Sequence, residues 1–179
     1  MNIIEAKEQF IQAWGTLGSS WGISRTMAQI HALLLASSEP LSTEDIMEKL
    51  QISRGNTNMT VRELIDWGLV YKEIVVGERR EFFVAEKDIW QVSKCILRER
   101  KKRELDPLKR VFDNLAQVQI DSQNKDYQDF TKLIKDIQTL SEGADTVLNK
   151  LIKVERNWFI ETFLKFFGKK KKSLKTKTL

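Results

Sequence analysis

The chain has 179 residues, 41% of them hydrophobic, with two prolines, one cysteine and one histidine. That is enough apolar material for a buried core in one or two domains; the lone Cys95 excludes an internal disulfide, and one cysteine with one histidine cannot supply the four-ligand set of a structural zinc site. The net charge of +5 resides in the C-terminus, because residues 165–179 hold seven lysines and no acid, leaving 23 basic against 25 acidic residues elsewhere.

The N-terminus, Met1-Asn2-Ile3-Ile4-Glu5, lacks the basic lead of a secretion signal. No apolar run approaches the roughly 20 residues of a membrane-crossing helix. A cytoplasmic protein without stable membrane insertion is expected. Apolar positions at Ile3, Ile4, Phe10, Ile11, Trp14 and Leu17 predict a first helix, and Gly15, Gly18 and Gly22 predict its end near residue 18. Ser24 is placed to cap a second helix carrying Met27, Ile30, Leu33, Leu34 and Leu35, which Ser37-Ser38-Glu39-Pro40 ends.

Ser42 followed by Asp45 has the spacing of a capping box. The helix it opens buries Ile46, Met47 and Leu50. Gln51-Ile52-Ser53 then reads as a tight turn, with Ser53 as the next N-cap and Gly68 at the C′ position of that helix. Residues 69–74 and 81–85 read as strands, with Gly77 in the turn between them, where positive φ is needed. Helix, tight turn, helix, glycine stop and hairpin together spell a winged helix-turn-helix.

After Asp88 the pattern is helical. Ile89, Val92, Ile96 and Leu97 form one stripe, followed by charged residues 98–104. Asp106-Pro107 predicts a break or kink. Leu108, Val111, Phe112, Leu115 and Val118 continue the pattern. The polar residues 121–125 separate a further helix carrying Tyr127, Phe130, Leu133, Ile134, Ile137 and Leu140. Ser141-Glu142-Gly143 predicts another break before a last helix through Val147, Leu151, Val154, Trp158 and Phe163. The lysine-rich tail has too little apolar surface to offset ordering entropy and reads as disordered. The expected fold is mainly α with a small β-hairpin wing: a winged helix-turn-helix over residues 1–87, a C-terminal helical dimerisation region over 88–167, and a tail over 168–179.

Helical geometry puts Thr57, Val61, Leu64 and Ile65 on one side of the second helix of the motif. Asn56, Met59, Thr60 and Glu63 then lie opposite, with Arg62 on the flank. In a helix-turn-helix the N-terminal part of the second helix meets base edges. Asn56 suits an adenine edge, Arg54 a guanine edge or a phosphate, and Met59 a thymine methyl. Ser53, Thr60 and the helix N-terminus suit phosphate, and Asn58 and Arg62 complete the candidate DNA-binding set. Arg79 and Arg80 fall at the wing tip, where arginine enters the minor groove or grips backbone. A solvated polar helix face and an ordinary exposed turn are the blander readings. Charge opposes the DNA reading, because residues 42–85 carry six basic and eight acidic side chains, whereas affinity for DNA rests largely on phosphate neutralisation.

Several runs of the chain resemble the GbsR branch of the MarR superfamily: Trp21-Gly22-Ile23-Ser24-Arg25-Thr26-Met27-Ala28-Gln29-Ile30-His31-Ala32-Leu33-Leu34-Leu35, then Leu50-Gln51-Ile52-Ser53-Arg54-Gly55-Asn56, Gly68-Leu69-Val70 and Gly77-Glu78-Arg79. The similarity spans residues 5–120. It implies a dimeric, cytoplasmic bacterial transcription regulator, often a repressor, some of whose relatives sense choline or similar osmolyte precursors. The DNA-reading role carries onto Ser53, Arg54, Asn56, Met59 and Thr60, and the wing role onto Arg79 and Arg80. Ser24 stands where many relatives have proline, and the segment after 120 matches no motif.

Trp14, Trp21 and Trp90 are candidates to line a site for a small cationic effector, because indole faces attract quaternary ammonium groups. They equally suit a core or a dimer interface. His31, in a leucine-rich helix, reads as structural, and Cys95 as an inert thiol. The run 98–110 holds seven basic and three acidic residues and suits a solvated face or DNA backbone. Lysines 169–172 suit nucleic acid or an anionic membrane surface, with residues 158–167 as an amphipathic anchor. No catalytic motif or cofactor site is evident. The sequence therefore predicts a homodimeric regulator of double-stranded DNA, not an enzyme. A peripheral membrane or protein-interaction module using a winged helix as scaffold is the alternative.

Overall fold

The computed structural model describes residues 1–117 and 125–155. The chain divides into two compact units, Met1–Ile96 and Leu97–Leu179. The first contains α1 (Ile3–Ser20), α2 (Arg25–Ala36), β1 (Leu41–Ser42), α3 (Thr43–Leu50), α4 (Arg54–Asp66), β2 (Val70–Glu73), β3 (Phe82–Ala85) and most of α5 (Ile89–Arg100). The strands form one antiparallel sheet in the order β1-β3-β2. Leu41 and Lys72 flank Phe83 from its two sides. This is a winged-helix fold, mostly helical with a small three-stranded sheet.

Local chemistry fixes the boundaries. Asn2 and Glu5 form a capping box on α1, and Ser42 and Asp45 form one on α3. Ser24 and Ser53 cap α2 and α4 through the amides of Met27 and Asn56. Three of these helices end alike, with a residue at positive φ (Gly22 at 76°, Gln51 at 53°, Gly68 at 72°). The following amide reaches back in each, from Ile23 to Gly18 O, Ile52 to Met47 O and Leu69 to Leu64 O, which is the Schellman closure. Gln51 is the one non-glycine residue at positive φ among the described residues; it sits in the turn between α3 and α4.

The core of this unit gathers Ile30, Leu34, Ile46, Val61, Leu64, Val70 and Val92, all essentially inaccessible. Lys87 ties the sheet to α2 by donating from Nζ to the carbonyls of Leu34, Leu35 and Ser37, an arrangement that caps the end of the helix. Burial, with a smaller push from Lys7, lowers the Lys87 pKa.

Three sequence expectations change. Gly15 and Gly18 do not stop α1, which runs on to Ser20. They let α2 approach, and a Cβ on Gly18 would stand 2.5 Å from Ala28 Cβ. No break occurs at Asp106-Pro107: Arg100, Leu105 and Asp106 keep right-handed helical dihedrals around a π-helical turn, Lys101–Leu105, which leads into α6 (Asp106–Ala116). The π-helical turn falls just ahead of Pro107, where the ring removes an amide that an unbroken α-helix would bond. Nor does Ser141-Glu142-Gly143 end a helix, since α7 runs unbroken from Lys125 to Lys153. Exposed glycine weakens a helix by about 1 kcal/mol without breaking it, and nothing crowds Gly143. The third strand, β1, had no sequence signal, because two residues show no periodicity.

In the second unit α6 packs along α7. Lys101 Nζ bridges Asp106 and Asp145, at 2.8 Å to each, and Gln138 donates to Asp113 at 2.9 Å. The expectations for Val118, residues 121–124, the helix through Trp158 and Phe163, and the lysine-rich tail lie outside the described residues. No described helix is long and apolar enough to cross a membrane.

Candidate nucleic-acid interface

The first turn of α4 stands at the surface, with Ser53, Arg54 and Gly55 exposed and Asn56 half-buried. Ser53 Oγ accepts from the Asn56 amide at 3.4 Å, and Thr57 Oγ1 donates to the Ser53 carbonyl at 3.0 Å. The remaining amides of the turn therefore point outward from a capped start, as an anion-binding helix end does. Asn58, Met59 and Arg62 are exposed along the same helix, Met59 at 66%.

Thr60 is a correction. Only 4% of it is accessible, and its hydroxyl donates to Asn56 Oδ1 at 3.3 Å. It lies between the two faces that helical spacing assigns, and the fold closes over it. Its place is behind Asn56, where it sets the rotation of the amide. Asn58 also works inward in part, accepting from Thr43 Oγ1 at 3.4 Å across the motif.

The arginines are not equivalent. Arg54 forms an ion pair with Glu44 of α3 at 2.5 Å, with both side chains largely in solvent. Arg80 pairs with Glu78 at 3.1 Å and lies over the Phe82 ring at 5.4 Å. Glu44 is the hinge of this arrangement. Its carboxyl is held below the ordinary range first by its own backbone amide at the start of α3, then by Arg54 and more weakly by Arg80. The register that pairs Ser42 with Phe82 sets the base of the wing beside the start of α3, where Glu44 meets Arg54 of α4. Arg62 and Arg79 have no ion pair or hydrogen bond among the described residues. Sequence reasoning missed Glu44, since nothing in a cap pattern says that its second helical residue will meet an arginine ten positions on.

The wing carries a second unforeseen feature. Ile74 and Val76 are 93% and 97% accessible. Sequence patterning counted Ile74 as strand, but β2 ends at Glu73.

The tryptophans divide. Trp14 and Trp21 line one cavity of the first unit, together with Met27, His31, Leu64 and Trp67, whereas Trp90 does not line it. Its free volume is about 30 Å³, room for about two waters. No carboxylate lines it, so nothing there answers a cation except indole faces. His31, whose ring centroid lies 6.1 Å from that of Trp14, is buried, and its Nε2 has no hydrogen-bond partner among the described residues. Burial, aided by the Lys87 charge, pushes its pKa down to about 4. Cys95 is half-buried, its thiol 3.6 Å from the Gly68 carbonyl. Among the described residues no cluster of side chains could hold a metal ion.

Comparison with known proteins finds similarities of sequence over part of the chain and of fold. Residues 21–81, from the turn before α2 to the residue ahead of β3, match the protein-family model described as MarR family. A solved structure described as that of a transcriptional regulator superposes with a TM-score of 0.62 at 18% identity, covering 82% of this chain and 95% of its own. S. aureus MepR in its DNA-binding conformation gives a TM-score of 0.38 at 19% identity over 76% of this chain and 93% of its own. The transcriptional regulator SlyA gives 0.34 at 16% identity over 82% and 99%. No curated protein matches the chain.

Proposed function

We propose that this protein is a sequence-specific, DNA-binding transcriptional regulator, a repressor of the GbsR branch of the MarR superfamily, acting in the cytoplasm as a homodimer. One observation carries the reading. The capped, outward-facing first turn of α4 reaches Glu44 of α3 through Arg54, and Phe82 at the base of the wing pairs with Ser42, two residues before that carboxylate. A reading helix and a wing on one face suit a major groove and the backbone or minor groove beside it. In this reading Asn56, held by Thr60, is the base reader, with Arg54, Met59 and Arg62 around it. Arg79 and Arg80 hold the duplex at the wing.

A second copy of the chain is supported by uncovered apolar positions at heptad spacing. Ile3, Phe10 and Leu17 are exposed on α1, and Leu133, Leu140 and Val147 on α7. Stripes of this period seek a partner helix, and residues 88–167 would be the dimerisation region. Two reading helices about 34 Å apart would meet successive major grooves on a pseudo-palindromic site. An effector at Trp14 and Trp21 would have to open the cavity first, and a swing of the half-exposed Trp21 is the simplest way.

The test is selection of bound duplexes from random sequence, followed by titration of variants. Asn56→Ala is expected to relax preference at one base position per half-site. Arg80→Ala is expected to weaken binding to all duplexes and to reduce the dependence of log affinity on log salt by about one unit. Equal losses on every sequence from both variants would refute this division of labour, and failure to select any site would refute the regulator reading.

A further inference from the structure

The loop between β2 and β3 turns at residues 75–78. The Glu78 amide donates to the Val75 carbonyl at 3.1 Å, and Gly77 sits third in the turn with φ of 89°, as a type II turn requires. Val76 is therefore the apex. Turn apices ordinarily carry glycine, proline or short polar residues. Here a valine is 97% accessible, and Ile74, at 93%, stands just before the turn. These are the two most exposed large hydrophobic side chains of the first unit; Met1, at the chain start, reaches 89%. Three residues past the apex comes Arg79, exposed and without an ion pair among the described residues.

Resting on the proposed DNA-binding role, we infer that this wing tip is an apolar wedge for the minor groove of duplex DNA, with Ile74 and Val76 inserting at a base step while Arg79 holds the adjoining phosphates. Charge makes the case. Residues 42–85 carry six basic against eight acidic side chains, and Arg54 and Arg80 are already paired with Glu44 and Glu78. Counterion release alone therefore gives this module little affinity. Branched aliphatic side chains that partly unstack a step and bend the duplex supply affinity that does not depend on salt. The bend also brings backbone toward the few cations present. The base of the wing lies beside the start of α3, because Phe82 pairs with Ser42, and Glu44 of α3 pairs with Arg54 of α4, so a duplex seated on α4 passes the wing.

The experiment uses the full-length protein and a selected duplex carrying 2-aminopurine at successive steps outside the major-groove half-site. Wild-type binding is expected to raise 2-aminopurine fluorescence at one step, reporting unstacking. Ile74→Ser with Val76→Ser is expected to abolish that rise and to weaken binding about 10- to 100-fold, in keeping with the burial of two aliphatic side chains, with the salt dependence unchanged. Arg79→Ala is expected to keep the fluorescence rise and to lower the salt dependence by about one unit. Because both mutated side chains lie in solvent, circular dichroism of the double variant is expected to match the wild type. A duplex bound without any fluorescence rise, or a double variant binding as tightly as wild type, overturns the wedge and leaves the regulator reading standing. A double variant with altered sedimentation assigns the tip to a protein partner and overturns it too. If the wild-type protein selects no duplex, both readings fall.

Discussion

His31 offers the most direct check on the buried core that supports the reading helix. In the folded protein its pKa is pushed from the ordinary 6.5 to about 4 by burial and then by Lys87. The unfolded chain binds a proton near pH 6.5 that the native chain refuses, so acid drives unfolding. The contribution is full above pH 6.5 and falls away between pH 6.5 and 4. Between pH 7.5 and 5 the linkage relation gives a loss of about 2 kcal/mol. The assay is urea unfolding followed by circular dichroism at both values, at one fixed protein concentration. His31→Phe keeps an aromatic ring against Trp14 and removes the titrating group. It is expected to lose about 2 kcal/mol less than wild type over that interval, whatever its stability at pH 7.5. Asp45 and Asp145, whose carboxyls are held below their ordinary range by Ser42 and Lys101 respectively, titrate at lower pH and cancel in the comparison. Equal losses from the two proteins would refute the reasoning and show that water reaches the imidazole.

Two further substitutions probe other links. Glu44→Gln frees Arg54 and removes a carboxylate from beside the expected phosphate path; duplex affinity is expected to rise about two- to fivefold, with a steeper salt dependence. Weaker binding with relaxed base preference in electrophoretic shifts would show instead that Glu44 aims Arg54 at a base. Gly18→Ala sets a methyl 2.5 Å from Ala28 Cβ, on a helix that cannot swing aside as a long side chain would. A net loss of about 1–2 kcal/mol in urea unfolding is expected, since crowding outweighs the gain in helix propensity. An unchanged midpoint would show that α1 and α2 separate freely.

What the sequence disclosed was local. The capping box at Ser42 and Asp45, the cap at Ser53, the stop at Gly68 and the turn glycine at Gly77 are decided by residues within a few positions of each other, and all take the expected form. What it concealed depends on partners far along the chain or on a helix neighbour. Gly18 reads as a helix stop in sequence and as a contact in space, because Ala28 decides its role. Thr60 reads as exposed by helical period, yet the packing around α4 closes over it. Trp90 joins Trp14 and Trp21 by residue type but not by position. The Glu44–Arg54 pair had no signature at all.

The charge distribution constrains how such a protein could bind at all. A module with more acids than bases cannot rely on long-range attraction, and the pairing of Arg54 and Arg80 with their own carboxylates lowers the field further. Those same pairs hold the guanidinium groups in place before any ligand arrives, which reduces the side-chain entropy lost on binding. Binding then exchanges a carboxylate for a phosphate at an arginine already in position. Such an exchange contributes little for the wrong duplex, where base edges and groove shape do not match. In the proposed reading, discrimination falls to Asn56, to the duplex's readiness to bend, and to the simultaneous fit of two copies. Each of these is short-ranged, and each is lost if the spacing between half-sites changes by a few base pairs. Inserting five base pairs between the half-sites of a selected duplex turns one half-site to the opposite side of the helix. Binding is then expected to fall to the level of random DNA in the same titration, and retention of tight binding would show that one copy suffices.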